Sequence, residues 1–556
     1  MIRKILALSL SSTLILSGCG QGVVSNPPGN GNSNTTPPVV VTPTTQQAAI
    51  KHVVVIFGEN ISFDHYFGTY PLAANLPANS SKFTAVAGTA TPNNLTKVAA
   101  VNPNLNPANG AGASNPFRLD VAQAATADQD HDYGPEQMAF DNGKMDLFPL
   151  SVGTPNGATL TASTGAAAIT NTNGLTMGYY DGNTVTAMWN YAQHYALNDH
   201  SFGTTFGPST TGALNLISGQ TNGAIDTDNS GATVADGQGG LTDNGDADPT
   251  GDICSGTGTI SMTGKNVGDI LNAANVTWGF FEGGFDLTVT NADGSTGCNR
   301  TTTSKITNTK KNDYIQHHEP FQYYKTTQNL THARPGSVAA IGTTDAANHQ
   351  YDTHDFTDAL AAGNMPAVSF LKAPGYQDAH AGYSDPLDEQ TFVVNMINAI
   401  QSSQFWSSTA IIIAYDDSDG WYDHLNNIVN GSNSSQDFYT STGVCSTSTA
   451  NGANALAGVA TTNPVQGRCG YGPRLPLMVI SPWAKKNVID STVTDQSSIT
   501  RFIEDTFASS ARIGNGSFDS IAGPLTNMFD FSNGAAPPNP NVVLLSPTTG
   551  QVTTGN

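Results

Sequence analysis

The sequence predicts an α/β protein built on a central, mostly parallel β-sheet flanked by helices. Three observations lead there. Short apolar, β-branched runs recur along the chain: Lys51-His-Val-Val-Val-Ile-Phe57, Ala367-Val-Ser-Phe-Leu371, Ala410-Ile-Ile-Ile-Ala414 and Leu475-Pro-Leu-Met-Val-Ile-Ser481. Such runs suit strands buried on both faces. Helical patterns lie between some of them, at residues 267–274 before the strand-like 276–281, and at 389–401 before the Ala410 run. That alternation is the pattern of a sheet covered by helices. Finally, 556 residues with 38% apolar content are enough to bury a full core without metal or disulfide staples.

The elements follow in chain order. Residues 1–19 read as a signal peptide, with Arg3 and Lys4 ahead of an apolar stretch too short for an ordinary membrane span. The stretch ends in Leu16-Ser17-Gly18-Cys19, which resembles a bacterial lipobox whose cysteine carries lipid. Residue 20 is Gly, and no twin-Arg pair precedes the apolar run, so export through the general secretory route to an outer-membrane lipoprotein is expected. This protein would face the periplasm or the cell surface, with release from the membrane as an open alternative. Residues 20–48, rich in Pro, Thr and Asn, read as a flexible tether. Residues 49–533 read as the folded domain and 534–556 as a Pro-rich tail. Two polar insertions, 219–262 and 430–470, are expected as loops at the sheet rim.

Setting Cys19 aside leaves Cys254, Cys298, Cys445 and Cys469. In an oxidising compartment they should pair. The nearest-neighbour scheme is Cys254–Cys298 with Cys445–Cys469, one of three possible schemes. Without a C-x-x-C pair, a structural zinc site is disfavoured. The net charge of −22 and the lack of a basic run exclude a nucleic-acid footprint. A site for anions in so acidic a chain needs local cations.

The chemistry-bearing residues cluster at strand exits. Glu59 and Asn60 follow the first strand, and Asp416 and Asp417 follow the Ala410 run. Ligands bind at carboxyl ends of strands in open α/β sheets, and these hard oxygen donors suit one divalent cation. A third segment, Phe206-Gly207-Pro208-Ser209-Thr210-Thr211, breaks the chain and then opens a helical pattern. Ser209 there is either a helix cap or a nucleophile at a helix start. His131, the pair His317-His318, and His380 are the candidate acid–base and phosphate-holding groups. A partial calcium-loop pattern, Asp226-Thr-Asp228-Asn-Ser230-Gly231, fails at its twelfth position, Gly237. It supports only a non-enzymatic alternative, a calcium-binding surface lipoprotein.

At these residues the sequence resembles the bacterial acid phosphatase/phospholipase C phosphoesterase family. The carriers are residues 52–57 with Glu59-Asn60-Ile61-Ser62-Phe63-Asp64-His65-Tyr66-Phe67-Gly68, then Gly207-Pro208-Ser209, then Tyr415-Asp416-Asp417 with Gly420-Trp421-Tyr422-Asp423-His424, and Gly472-Pro473-Arg474 with the run to Ala484. The resemblance implies an alkaline-phosphatase-like α/β sandwich with long polar loop insertions. It also implies Ser209 as a phosphoenzyme-forming nucleophile. Glu59, Asn60, Asp416 and Asp417 become the cradle of one divalent metal ion, with Ca, Mg, Mn and Zn all open. His131, His317, His318 and His380 become phosphate contacts, with His380 favoured as the acid for the leaving oxygen. The implied substrates are small phosphomonoesters or, alternatively, phospholipid headgroups. Histidines that must be protonated to hold phosphate would favour hydrolysis at acidic pH. Phospholipase C members often carry Thr at the Ser209 position, a twin-Arg signal and extra C-terminal domains. The closer resemblance is therefore to the acid phosphatase A-like branch. The formylglycine motif of sulfatases is absent at Ser209-Thr210-Thr211-Gly212.

Overall fold

A computed structural model gives the arrangement and describes residues 49–75, 82–98, 102–156, 169–236, 239–425, 469–534 and 536–553. Eight strands form the central sheet: β1 (His52–Gly58), β2 (Ala196–Asn198), β3 (Trp278–Glu282), β4 (Gln350–Asp352), β5 (Val368–Lys372), β6 (Thr409–Tyr415), β7 (Leu477–Ile480) and β8 (Val488–Asp490). Their order is β4-β3-β5-β1-β6-β7-β2-β8. β1 runs parallel to β5 and β6, and β3 to β5 and β4. Only β7 is reversed, pairing antiparallel with β6 and β2. The α/β class and mostly parallel sheet are those the sequence predicts.

All seven residues of β6 and all five of β5 are buried. Side chains alternate between faces along a strand, so full burial means that both faces are covered. The helices that cover them begin at local signals. These helices are α1 (Phe63–Phe67), α2 (Tyr133–Phe140), α3 (Thr186–His194), α4 (Ser209–Ser218), α5 (Val267–Ala273), α6 (Thr353–Ala361), α7 (Pro386–Gln401) and α8 (Gln496–Phe507). Asn266 and Asp269 form a capping box at α5, Asp352 and Asp355 one at α6, and Asp495 and Ser498 one at α8. Asp385 caps α7, with Pro386 in its first turn. Phe392, Val393, Ile397 and Ile400 recur at helical spacing along α7 and are buried.

Residues 222–262 differ from the expected loop. They hold a four-stranded antiparallel sheet in the order Thr233–Ala235, Leu241–Asp243, Asn222–Asp226, Ile260–Met262. Its strands are so short that turn residues dominate the composition. Asp226 accepts from the Ser230 amide and from the Ser230 and Thr233 hydroxyls, and Asp228 accepts from the Gly258 and Thr259 amides. The calcium-like pattern is thus spent on tying turns. Residues 536–553, read as a tail, lie against helices: Asn398 of α7 donates to the Leu545 carbonyl and Asn190 of α3 to that of Gly550.

Cys254 and Cys298 form a disulfide with Cα atoms 5.2 Å apart. Cys469 is also disulfide-bonded; its expected partner, Cys445, lies outside the described residues. So do the signal, the tether, Cys19 and most of the 430–470 insertion. Among the described residues, no helix is long and apolar enough to cross a membrane.

Arg474 locks the frame. Its side chain is fully buried, and its Nε donates to both oxygens of Asp423 at 3.1 and 3.0 Å. Nη2 donates to Asp64 Oδ1 at 3.1 Å, and Nη1 to the carbonyls of Asn93 and Asp199. One guanidinium therefore joins α1, the segment after β6, and the approach to β7. Removing one partner of a buried ion network strands the others without compensation. Arg474→Met is expected to lower unfolding stability by about 3–5 kcal/mol, read from the denaturant midpoint; an unchanged midpoint would refute this role.

Candidate active site

The site is built where β1, β5 and β6 end side by side. β1 delivers Glu59 and Asn60, and β6 delivers Asp416 and Asp417. Asn60 has φ 63°, in the left-handed region that Asn tolerates better than most residues. In that pose its backbone N–H donates to Asp416 Oδ1 at 2.8 Å, and its Nδ2 donates to Asp419 Oδ1 at 3.0 Å. Asp416 Oδ1 also accepts the Asp417 amide, and Asp417 Oδ1 accepts the Asp419 amide.

Helix α4 brings the hydroxyl. Pro208 precedes it with extended backbone, and Ser209 is its first residue. Ser209 Oγ donates to Asp417 Oδ2 at 3.2 Å. The close approach depends on Gly212: a Cβ there would come within 2.2 Å of the Asp416 carbonyl oxygen. Behind the helix start, Glu136 of α2 accepts from the Gly207 amide and the Ser418 hydroxyl. Burial pushes its carboxyl up to about 8.

The four residues expected as metal ligands therefore converge, and their chemistry fits a hard cation. Glu59 Oε2, Asn60 Oδ1 and Asp416 Oδ2 are buried and have no hydrogen-bond partner among the described residues. Buried acceptors are rarely left in that state. Burial, and then Asp416 beside it, push the Asp417 carboxyl well above the usual range. Burial raises Asp416 as well. A divalent ion bound to these oxygens would relieve both penalties.

The histidines surround the cradle and divide by charge. His318 Nε2 lies 3.2 Å from Glu59 Oε2, and its ring is 4.6 Å from that of His317. His131 Nε2 lies 3.5 Å from Asn60 Nδ2, and the His380 ring is 5.8 Å from the His131 ring. Each of the latter two turns its Nδ1 to a backbone carbonyl, Gln129 for His131 and Ala381 for His380. Burial disfavours charge on all four rings. At His131 the carboxylates of Asp417, Asp419, Asp128 and Asp246 outweigh it and hold the pKa well above the ordinary value. At His317 the hydrogen bond to Asp248 and the charges of Asp246 and Asp248 outweigh it and raise the pKa above the ordinary value. His380 is lowered well below by burial and then by His131, and His318 by burial and then by His317.

Several residues were missed from sequence. Lys372, fully buried at the end of β5, pairs with Glu59 Oε1. Asp378 lies 3.8 Å from His318 Nδ1 and accepts from the Tyr383 hydroxyl. Asp419 holds Asn60, and Glu136 backs α4. The signal for Lys372 was present, a single cation closing an apolar run. Asp419 follows the recognised acid pair by two residues. Glu136 carried no signal. His65 and His424, both within recognised motifs, are structural: His65 stacks on Trp421 at 4.0 Å and burial lowers it to about 3, while His424 Nδ1 lies 2.5 Å from Asp64 Oδ2. Two other groupings of metal-binding residue types are already committed. Cys254 of one is in the disulfide, and Arg474 holds Asp64 and Asp423 of the other. A third, Asp128-His131-His380, sits at the site itself.

An oxygen-lined cradle beside a hydroxyl at a helix start, ringed by imidazoles, is chemically suited to an anionic ester. The chain belongs to the Phosphoesterase family, whose profile matches residues 50–509. Similar proteins include a non-hemolytic phospholipase C of Pseudomonas aeruginosa, 28% identical over 33% of this chain and 26% of that one. A non-hemolytic phospholipase C of Burkholderia pseudomallei is 32% identical over 31% and 24%. Phospholipase C A of Mycobacterium tuberculosis is 23% identical over 88% of this chain and 78% of its own. The matches to the Pseudomonas and Burkholderia enzymes span about a quarter of those relatives. Loosely similar solved structures include a Vibrio parahaemolyticus protein of the alkaline phosphatase superfamily, with a TM-score of 0.24 at 10% identity over 58% of this chain and 60% of that one. Another is the phosphonate monoester hydrolase of Silicibacter pomeroyi, with a TM-score of 0.23 at 11% identity over 58% and 68%. Overlaps this loose carry no argument.

The lowered pKa of His380 means that its ring carries a proton only when the pH falls below the ordinary histidine range. With a cation holding the cradle carboxylates ionised, a donor or anion contact at that ring gains strength with acidity. Turnover of an aryl phosphate is therefore expected to peak on the acid side of neutrality; a pH–rate profile peaking well above neutrality would contradict this charge pattern.

Proposed function

We propose that the protein is an exported acid phosphatase that cleaves phosphate monoesters through a phosphoserine at Ser209. The observation that carries this is Ser209 Oγ at the first position of α4, 3.2 Å from Asp417 Oδ2 and next to the unpartnered oxygens of Glu59, Asn60 and Asp416. In this reading Glu59, Asn60, Asp416, Asp417 and Ser209 hold one divalent ion. When bound, it lowers the hydroxyl pKa and neutralises phosphoryl charge. Asp417 orients Ser209 for in-line attack, and Glu136 fixes the turn that presents it. His131 and His317, held protonated, supply standing positive charge to the phosphoryl oxygens. His318 steadies Glu59. His380, easily deprotonated, gives its proton to the leaving oxygen and as a neutral base activates the water that releases phosphate.

A second reading is phospholipase C action on phosphatidylcholine-type lipids. It is favoured by the names of the relatives, one of which aligns over most of the chain. The two readings share the site and differ in the ester: a monoester gives up its one alcohol and inorganic phosphate, whereas a phosphatidylcholine diester gives up diacylglycerol and keeps choline on the phosphate.

Ser209→Ala is expected to lower turnover at least ~10³-fold, the order lost with a nucleophile. Brief incubation of wild type with labelled substrate and acid quench should leave phosphate on Ser209. Wild-type turnover in Ser209→Ala would end the nucleophile assignment. Rates on an aryl phosphate against phosphatidylcholine decide between the two substrates. The location rests on the signal and Cys19: Cys19→Ala is expected to move the protein from the membrane fraction to the soluble fraction, and unchanged fractionation would remove the lipid anchor.

A further inference from the structure

Each carboxylate in the cradle has one oxygen already committed. Asp416 Oδ1 accepts two amides, those of Asn60 and Asp417. Asp417 Oδ1 accepts the Asp419 amide at 2.7 Å. Glu59 Oε1 is held by the Lys372 ammonium, whose side chain is as buried as its partner's. What remains for an ion is single oxygens: Glu59 Oε2 and Asp416 Oδ2, both unpartnered, with Asp417 Oδ2 beside Ser209 Oγ. Asn60 adds its unpartnered Oδ1.

The constraint at Glu59 differs from the other two. The aspartate oxygens are occupied by backbone amides, those of Asp417 and Asp419 in their own motif and that of Asn60 at the exit of β1, and cannot be released without breaking the backbone arrangement. Glu59 is restrained by side chains alone: Lys372 on Oε1, arriving from β5, the neighbouring strand in the sheet, and His318, whose Nε2 lies 3.2 Å from Oε2. That lysine is a costly feature, since a buried ammonium needs a compensating partner. A longer, flexible glutamate is also the residue best able to swing into two-oxygen contact with an ion. Calcium takes six to eight oxygens and often uses both of one carboxylate, whereas magnesium and manganese prefer six single oxygens.

We propose that Lys372 is a positioning residue that keeps Glu59 a one-oxygen ligand and so sets the cradle for a small six-coordinate ion, magnesium or manganese, over calcium. Three single carboxylate oxygens, the Asn60 amide oxygen and the Ser209 hydroxyl leave the sixth position to the substrate. The inference rests on the cradle described above.

The test is direct ion binding to the chelator-treated full-length protein, titrated calorimetrically with Mn²⁺ and Ca²⁺ separately. Wild type is expected to bind Mn²⁺ more tightly than Ca²⁺. Lys372→Met frees Glu59 Oε1 and is expected to shrink that preference at least about tenfold, mainly through a gain in calcium affinity. Lys372→Arg should retain the wild-type ratio, a result that a merely space-filling role would not give. Calcium binding as tight as manganese in wild type, or an unchanged ratio in a folded Lys372→Met, overturns the inference. If Lys372→Met does not fold, the wild-type ratio and that of Lys372→Arg decide it. Wild type that binds neither ion overturns the cradle itself, and with it this inference, while the Ser209 labelling reads the chemistry independently.

Discussion

The hydrogen bond from the Asn60 amide to the Asp416 carboxylate joins residues 356 apart in the chain and is the contact on which the site depends. It links the exits of β1 and β6, turns Asn60 into its left-handed pose and fixes the oxygen of Asp416 that no ion can use. The carbonyl of the same aspartate is the surface against which α4 closes, through Gly212. Ser209 therefore sits where it does because a glycine one turn later permits contact. The carboxylates are held close at an electrostatic cost that protein groups only partly offset, a cost that a bound cation would relieve.

Much of this was legible in the sequence because its signals are local. A β-branched run followed by Glu59-Asn60, another followed by Asp416-Asp417, and a Gly-Pro break before Ser209 each occupy a few consecutive residues. The four histidines were legible as candidates for the same reason. What could not be read depends on partners brought from far along the chain. Lys372 looks like an ordinary strand end until β5 is laid beside β1. The reversal of β7 leaves no mark in its apolar pattern, since antiparallel and parallel core strands bury the same residues. The small sheet at 222–262 reads as loop because its turns contain more residues than its strands.

The histidine ring shows how one residue type is given opposite tasks by its surroundings. His131 and His317 face aspartates from other segments, Asp417 and Asp419 in one case and Asp248 and Asp246 in the other. His380 and His318 face other cations. Position within the chain carries none of this information; the neighbours do. The acidic composition, which at first argues against an anion site, is put to use in holding imidazolium charge where it is needed.

The place of β1 in the sheet has a consequence for how the chain comes to be folded. It is the first of the sheet's eight strands in chain order, yet it lies at the sheet's centre, between two strands that follow it by more than three hundred residues. Until those appear, its five consecutive apolar residues, Val53 to Phe57, have no edge to join. Assembly must therefore be late and concerted, and the protein is exposed to self-association throughout the interval when its innermost strand waits for company.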